Sequence, residues 1–226
     1  MIPWIHLDTA TVPDGGSELR LMRRGNEFAI LAGNVTLMSS RMSGSEEALA
    51  ALACDRLRGR KNCHMLIGGY GMGFTLRAAL GGVSADAHIL VVELVPAVMQ
   101  WARGAMAGLT GDSLHDPRVS VRETDVADVI AASRARFDAI LLDVDNGPDA
   151  LSHAANDRLY DVQGLHAARR ALRPEGLLAV WSASPNKNFV GRLGRAGFAV
   201  EEIVARANKR RGGRHIVWAA TKTKDR

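Results

Sequence analysis

The segment 63–73, which reads CHMLIGGYGMG, constrains the fold of this chain more than any other stretch. An apolar run breaks there into glycines at alternating positions, and a helical pattern follows. Glycine reaches backbone angles that are closed to other residues, so the chain can turn sharply and bring bare N–H groups against a ligand. Gly69, Gly71 and Gly73 therefore predict a nucleotide-binding turn between a strand and a helix.

Glu93 strengthens this interpretation because it ends the next apolar run, at 88–93. Nucleotide-binding α/β folds carry a ribose-binding acid at this place, roughly 20 residues after the glycine turn. An ionised carboxylate offers about four lone-pair sites and no donor, so it can accept both ribose hydroxyls. We therefore expect Glu93 to bind a ribose.

From residue 63 onward, strand-like and helix-like stretches alternate, which is typical of a parallel sheet flanked by helices. The predicted strands cover residues 65–67, 88–93, 119–122, 137–144 and 177–181, and the predicted helices cover 74–80, 97–107, 126–132, 159–172 and 188–196. Two further strands, 198–205 and 215–221, are joined by a connection too short for a crossover helix, so we expect them to pair antiparallel. Five parallel strands closed by such a hairpin are the layout of the α/β class I methyltransferase-like, or Rossmann-like, fold.

The N-terminal part follows a different pattern. Short β-rich runs occupy residues 19–22, 28–31 and 34–38, with glycine-asparagine turns between them. We expect residues 1–42 to form a small N-terminal β-appendage and residues 43–226 to form the nucleoside-binding catalytic domain. Ser43 and Glu46 have the spacing of a capping box, so the simplest role for Glu46 and Glu47 is to cap the helix that follows.

Polar residues follow four of the predicted parallel strands, at the edge of the sheet where ligands bind in such folds. They are the glycine loop, Glu93, Asp125, and the group Asp143, Asp145 and Asn146. Asp125 is a candidate acceptor for an adenine amine, with Leu94 and Val126 packing beside the ring. A plain helix N-cap is the alternative role of Asp125.

The glycine spacing also narrows the class of nucleotide. The chain has no G-x-x-x-x-G-K-S/T motif, which argues against a nucleoside triphosphatase. Its last loop glycine comes too early for the G-x-G-x-x-G pattern of dinucleotide sites. The loop therefore favours an adenosyl sulfonium over a dinucleotide.

Charge and composition set limits on partners and location. The 226 residues carry a net charge of +5, but the basic residues are scattered, and the one dense cluster, 209–211, fits a solvated hairpin tip. The charge therefore gives little support for a nucleic-acid partner, and an active-site lid or a phosphate contact is the alternative role of this cluster. Two cysteines suggest neither a metal cluster nor a disulfide framework. No apolar run reaches the roughly 18 residues of a membrane span, and no signal peptide is evident, so we expect a soluble cytoplasmic protein.

Taken together, these residues resemble the spermidine synthase (polyamine aminopropyltransferase) family. The likeness covers roughly residues 20–220 and is carried by the glycine loop, Glu93, Asp125 and the segment FDAILLDVDNGP at 137–148, followed by NDRLY at 156–160. It implies a decarboxylated S-adenosylmethionine donor held through Glu93 and Asp125, and a homodimer.

The same resemblance implies that Asp143 activates an attacking amine, with Asp145 beside it. An amine attacks the carbon next to a sulfonium only with its lone pair free, so a carboxylate within reach must take its proton. Neither a metal nor a covalent intermediate is required. Asn146, Tyr160 and Trp181 are the candidate substrate-binding residues.

The glycine loop departs from the family pattern. The family places an aspartate after three glycines, where it would hold the donor's amine, whereas Tyr70, Gly71 and Met72 occupy this region. The sequence therefore does not identify the acceptor molecule or the donor molecule. One alternative is an S-adenosylmethionine-dependent methyltransferase acting on a small molecule or on RNA, and another is a non-catalytic nucleoside-binding homologue.

Overall fold

A computed structural model describes residues 2–13, 17–144, 148, 157–208 and 212–224. The described chain contains a seven-stranded, mostly parallel sheet flanked by helices and a separate four-stranded antiparallel sheet. The α/β class predicted from the sequence is confirmed.

The N-terminal sheet is a consecutive antiparallel meander of β1 (Ile5–Thr11), β2 (Glu18–Arg24), β3 (Glu27–Ala32) and β4 (Val35–Ser39). The sequence predicted the last three strands and missed β1. That strand lies at the edge and contains no buried residue, so it lacks the strong apolar signal of a packed strand. The proposed domain division at residue 42 stays a prediction.

The large sheet has the strand order β10-β11-β9-β8-β5-β6-β7. Its strands are β5 (His64–Gly68), β6 (His88–Glu93), β7 (Val119–Glu123), β8 (Phe137–Leu142), β9 (Leu172–Ser182), β10 (Phe198–Arg206) and β11 (Arg214–Lys222). Strands β5 to β9 pair in parallel, while β11 pairs antiparallel with both β9 and β10. The predicted terminal hairpin is therefore confirmed, with β11 inserted between β9 and β10.

The bounds of the helices agree only in part with those predicted from the sequence. They are α1 (Gly44–Arg56), α2 (Phe74–Gly82), α3 (Pro96–Arg103), α4 (Ala107–Thr110), α5 (Val126–Ala131), α6 (Asp157–Tyr160), α7 (Val162–Ala171) and α8 (Lys187–Arg195), with a 3-10 helix at Gly111–His115. The single helix predicted at 159–172 is wrong, because Asp161 ends α6 and caps α7 by accepting a hydrogen bond from the Gly164 N–H at 2.7 Å. Strand β9 already begins at Leu172, so Pro174 lies within a strand.

The capping box predicted for α1 is also wrong. The Ser43 hydroxyl donates to the Glu47 carboxylate at 2.9 Å, and Ser43 caps none of the described helical N–H groups through its side chain. Glu46 accepts a hydrogen bond from Ser45 instead.

Both faces of the large sheet are packed, because side chains alternate across each strand. One core cluster joins α1, α2 and α3 to one face, and the other joins α5, α7 and α8 to the opposite face. All six residues of β8 are buried, as expected for a central strand in a parallel sheet. This packing fixes the ends of the strands, from which the polar residues of the site project.

Candidate active site

The glycine loop lets the ends of two strands approach each other closely. Gly69 has a φ of +86°, and a Cβ atom there would lie 2.3 Å from the Asp143 carbonyl oxygen. The Gly69 N–H donates to the Val92 carbonyl at 2.8 Å, and the Asp143 N–H donates to the Gly68 carbonyl at 2.9 Å. Only glycine fits at position 69, so the loop is held against the end of β8.

Glu93 lies at the end of β6 and is 7% exposed. Its carboxylate accepts hydrogen bonds from the Tyr70 and Val95 backbone N–H groups, each at 2.9 Å. Burial raises the pKa of Glu93, and the backbone donors oppose that shift. These backbone donors hold the Glu93 carboxylate in a fixed orientation at the end of β6.

Two adjoining cavities lie at this edge of the sheet. The first cavity lies over the carboxyl ends of the parallel strands. It is lined by Val12, Ser17, Leu19, Ala32, Leu37, Met38, Gly69, Gly71, Val92, Glu93, Leu94, Val95, Asp125, Val126, Asp143 and Val144. The structure thus gathers most of the predicted nucleoside-binding residues around one space. Gly73 does not line this cavity; it is the N-cap of α2, with a φ of +74°.

Residues of the N-terminal sheet form the opposite wall of the first cavity. Leu19 belongs to β2, Ala32 to β3, and Leu37 and Met38 to β4. The sequence analysis predicted this sheet but assigned none of its residues to the site. Its contribution depends on how the two sheets pack, which no local pattern reveals.

Asp125 both lines the first cavity and caps a helix. One carboxylate oxygen accepts from the Ala127 N–H at 2.6 Å, and the other forms an ion pair with Arg158. The N-cap role, the alternative left open by the sequence, is therefore present. Adenine binding by Asp125 stays a prediction, and it requires a carboxylate oxygen to accept a second hydrogen bond.

The second cavity adjoins the first. It is lined by Leu37, Met38, Glu46, Tyr70, Gly71, Met72, Phe74, Asp143 and Trp181. Asp143 lines both cavities, so this residue lies at their junction.

The surroundings of Asp143 are unusual for a carboxylate. The residue is half-buried, and its one described side-chain donor is the Thr75 hydroxyl, at 2.6 Å. Removal from water raises the pKa of Asp143 to about 7, the nearby Glu46 charge adds to the rise, and the Thr75 hydrogen bond opposes it. A carboxyl with this pKa can take up and release a proton near neutral pH.

The remaining predicted substrate residues have different positions. Trp181 lines the second cavity. Tyr160 lines neither cavity; it is 1% exposed and packs edge-on against Phe189 in the core, with ring centres 5.7 Å apart, so the structure does not support a pocket-wall role. Asp145, Asn146 and the basic cluster 209–211 lie outside the described residues.

The sequence missed two polar residues of the site, Glu46 and Thr75. Thr75 lies in the first turn of α2, directly after the glycine loop. Glu46 lies on the same helical stripe as Leu49, Ala50 and Ala53, which are 0% exposed. Residues spaced by three, four and seven share a helix face, so this spacing was a signal that the Glu46 side chain points inward.

A metal site is not apparent in the part of the chain that the structure describes, where no three His, Cys, Asp or Glu side chains are grouped to hold an ion. Cys54 and Cys63 are buried free thiols. Among the described helices, none has the length and apolar character needed to cross a membrane.

A family model described as the spermine/spermidine synthase domain matches residues 45–189. This range contains the glycine loop, Glu93, Asp125 and Asp143, together with Glu46 and Thr75. The match therefore includes the residues from the large sheet that line both cavities, together with Glu46.

Curated proteins of similar sequence carry related names. Polyamine aminopropyltransferase 1 of Streptomyces coelicolor is 36% identical over 124 residues, which make up 54% of this chain and 22% of that protein. Polyamine aminopropyltransferase of Mycobacterium tuberculosis is 32% identical over 145 residues, which make up 60% of this chain and 27% of that protein. The chain thus spans about a quarter of the length of these relatives.

Solved structures share the fold over nearly the whole chain. A spermidine synthase in complex with the transition-state analogue AdoDATO superposes with a TM-score of 0.81 and 17% identity, covering 97% of this chain and 74% of that one. A spermidine synthase from Thermotoga maritima superposes with a TM-score of 0.76 and 16% identity, covering 97% and 73%. At this level of identity the superpositions establish the fold.

Proposed function

Because the chain belongs to the spermine/spermidine synthase family, we propose that it transfers an aminopropyl-type alkyl group from an S-adenosyl sulfonium donor to a small amine. The observation that carries this proposal is the position of Asp143 at the junction of the two cavities. One cavity suits the nucleoside of the donor, and the other suits the reacting chains.

The first cavity supports binding of the nucleoside. Glu93 would accept the ribose hydroxyls, because its carboxylate is already oriented by two backbone N–H groups. Asp125 would accept from the adenine amine, with Leu94 and Val126 beside the ring. The loop 69–73 would bring its backbone against the donor, as glycine at position 69 permits.

The chemistry assigned to Asp143 is proton acceptance. The attacking amine uses its lone pair to form a bond to the carbon beside the sulfonium, and the carbon–sulfur bond breaks with its electrons going to sulfur. The amine then carries an extra proton, which passes to the Asp143 carboxylate. Neutral methylthioadenosine and the lengthened amine are the products. Because the sulfonium is a good leaving group, holding the reactants in line supplies much of the acceleration.

The acceptor is assigned only as a small amine. Asp143 is the described acid that faces both cavities, and Asp145 and Asn146 are assigned to the acceptor from the sequence alone. Trp181 would form an apolar wall along the carbon chain of a reactant. A homodimer stays a prediction.

A binding and turnover experiment tests the proposal. The purified chain is titrated with S-adenosylmethionine, its decarboxylated form, methylthioadenosine and S-adenosylhomocysteine, and is then incubated with the decarboxylated donor and a panel of small diamines. We expect tighter binding of the decarboxylated donor and methylthioadenosine, and release of methylthioadenosine only when a diamine is present. Tighter binding of the two carboxylated ligands would instead support a methyltransferase, and binding of none of the four would remove the enzyme proposal.

A further inference from the structure

Glu46 presents a carboxylate to the second cavity from an element that the sequence did not associate with the site. It lies in the first turn of α1, half-buried, above a stripe of fully buried apolar residues. A carboxylate in such a place loses water and is costly unless it gains partners. The hydrogen-bond partners of the Glu46 carboxylate therefore show how the protein stabilises it in this position.

A partly buried hydrogen-bond chain supports the Glu46 carboxylate. The Ser45 hydroxyl, in a residue that is 0% exposed, donates to Glu46 Oε2 at 2.7 Å. His215 Nδ1 lies 2.8 Å from the same hydroxyl oxygen. Because the single hydroxyl proton goes to Glu46, the hydrogen between Ser45 and His215 belongs to Nδ1. Residues from α1 and β11 thus combine to orient one carboxylate.

The described walls of the cavities supply no cation to this carboxylate. Among the described residues, neither cavity is lined by a Lys or Arg side chain, although Glu46 and Asp143 both face the second one. Burial raises the pKa of Glu46, and burial together with the Glu46 charge raises that of Asp143. Two carboxylates close together in a space poor in water are stabilised by a cation placed between them.

Trp181 gives a second and independent indication of a ligand. Its side chain lines the same cavity and is 8% exposed, and its indole N–H has no hydrogen-bond acceptor among the described residues. A buried indole usually finds a partner. Its ring also suits an alkylammonium, because an aromatic face attracts a cation and packs against methylene groups. The indole N–H requires a hydrogen-bond acceptor, which an ammonium is not, so Trp181 would contact the ammonium and its methylene groups through the ring alone.

We propose that Glu46 is the carboxylate that binds the terminal ammonium of the donor's aminopropyl chain. This inference rests on the proposed function. The glycine loop offers Tyr70, Gly71 and Met72 at this side of the site and contains no acid, so the charge comes from α1 instead. Asp143, at the junction, remains available to take the proton of the attacking amine.

The position of Glu46 also sets the choice of donor. S-adenosylmethionine carries a carboxylate on the chain that would enter the second cavity, and this group would meet Glu46 and Asp143. Like charges at short distance in a poorly hydrated space repel strongly. Glu46 therefore favours the decarboxylated donor over S-adenosylmethionine.

The test compares Glu46→Gln with Glu47→Gln, a matched change at the neighbouring residue, which bonds to Ser43. Affinities are measured for the decarboxylated donor, S-adenosylmethionine and methylthioadenosine, which lacks the ammonium. Loss of a hydrogen bond between charged groups corresponds to about 10- to 100-fold weaker binding of the decarboxylated donor to Glu46→Gln. Methylthioadenosine should bind all three proteins equally, and Glu47→Gln should behave as wild type. S-adenosylmethionine carries a carboxylate beside its ammonium, so it should lose less affinity for Glu46→Gln than the decarboxylated donor does, and the preference for the decarboxylated donor should narrow.

Each other result overturns the assignment. If Glu46→Gln keeps the wild-type preference for the decarboxylated donor, Glu46 does not bind the ammonium, while the proposed function stands. Equal losses for methylthioadenosine and the decarboxylated donor would mean a general structural role for Glu46. A wild-type protein that binds methylthioadenosine but not the decarboxylated donor would overturn both proposals. Should Glu46→Gln fail to fold, Ser45→Ala replaces it, with a smaller loss for the decarboxylated donor alone expected and an unchanged preference contradicting the assignment.

Discussion

The two ends of strand β8 each carry an aspartate, and their surroundings are opposite. Asp138, the second residue of the strand, is 4% exposed and accepts hydrogen bonds from Arg60 at 2.9 Å and Arg173 at 2.7 Å. The His64 backbone N–H adds a third, at 2.8 Å. Asp143, directly after the strand, has Thr75 as its described side-chain donor and faces the Glu46 carboxylate.

The difference indicates that Asp138 has a structural role and that Asp143 is available for binding or chemistry. At the beginning of β8 the protein neutralises its own carboxylate, so nothing is left to bind. At the end of β8 the carboxylate lacks a protein cation among the described residues and has a pKa raised to about 7. Ligands of open α/β sheets bind outside the carboxyl ends of the strands. Asp143, the aspartate without a described cation partner, lies at that edge.

Replacing Asp143 with Asn gives the largest expected effect. The variant keeps the shape of the side chain but cannot accept the proton of the amine, so we expect the rate of transfer to fall by about 10²- to 10⁴-fold. Methylthioadenosine affinity should stay within about twofold of wild type, a change of less than 1 kcal/mol. Single-turnover release of methylthioadenosine measures the rate, and full activity in Asp143→Asn would remove Asp143 from the mechanism.

Replacing Asp138 with Asn tests the other end of the strand. An amide cannot accept from both arginines as a carboxylate does, so we expect the free energy of unfolding to fall by about 1–3 kcal/mol. Turnover per folded molecule should not change, because Asp138 lies at the opposite end of β8 from the cavities. Urea unfolding and an active-site titration measure the two quantities. A loss of turnover without a loss of stability would contradict the comparison.

The pH dependence of stability gives a third expected effect. Because the folded protein raises the pKa of Asp143 from 3.8 to about 7, the folded state binds more protons than the unfolded state between those values. This group's contribution to stability is therefore greatest below about pH 4, falls as the pH rises toward 7, and is constant above that. The Asp143→Asn protein should show a flatter decline and a higher Tm at pH 7.5, by about 2–4 °C for each kcal/mol of relieved penalty.

Thermal unfolding of wild type and Asp143→Asn at pH 5 and pH 7.5 measures this effect. Asp112→Asn, at an exposed aspartate, is the control and should follow the wild-type curve. A lower Tm for Asp143→Asn than for wild type at pH 7.5 would show that the charged carboxylate stabilises the fold, contrary to its surroundings. Together with the loss of transfer, a higher Tm would mean that Asp143 is kept at a cost in stability.

Most of the large sheet could be predicted from local patterns. The apolar run that forms β8 is buried on both faces and therefore reads directly as a central strand. Glu93 was located by its place at the end of a strand. The short helices α4 and α6 and the edge strand β1 were missed or merged, because they depend on neighbouring elements more than on their own sequence.

The sequence alone determined the order of strands and helices, the glycine turn, and the acids that follow the strands, because each of these depends on residues a few positions apart. Only the tertiary structure decided that the N-terminal sheet covers the first cavity and that Glu46 faces Asp143. These two acids are far apart along the chain, and their approach results from the packing of α1 against the sheet. Helix periodicity places Glu46 on the buried side of α1, but it does not say which residue lies opposite.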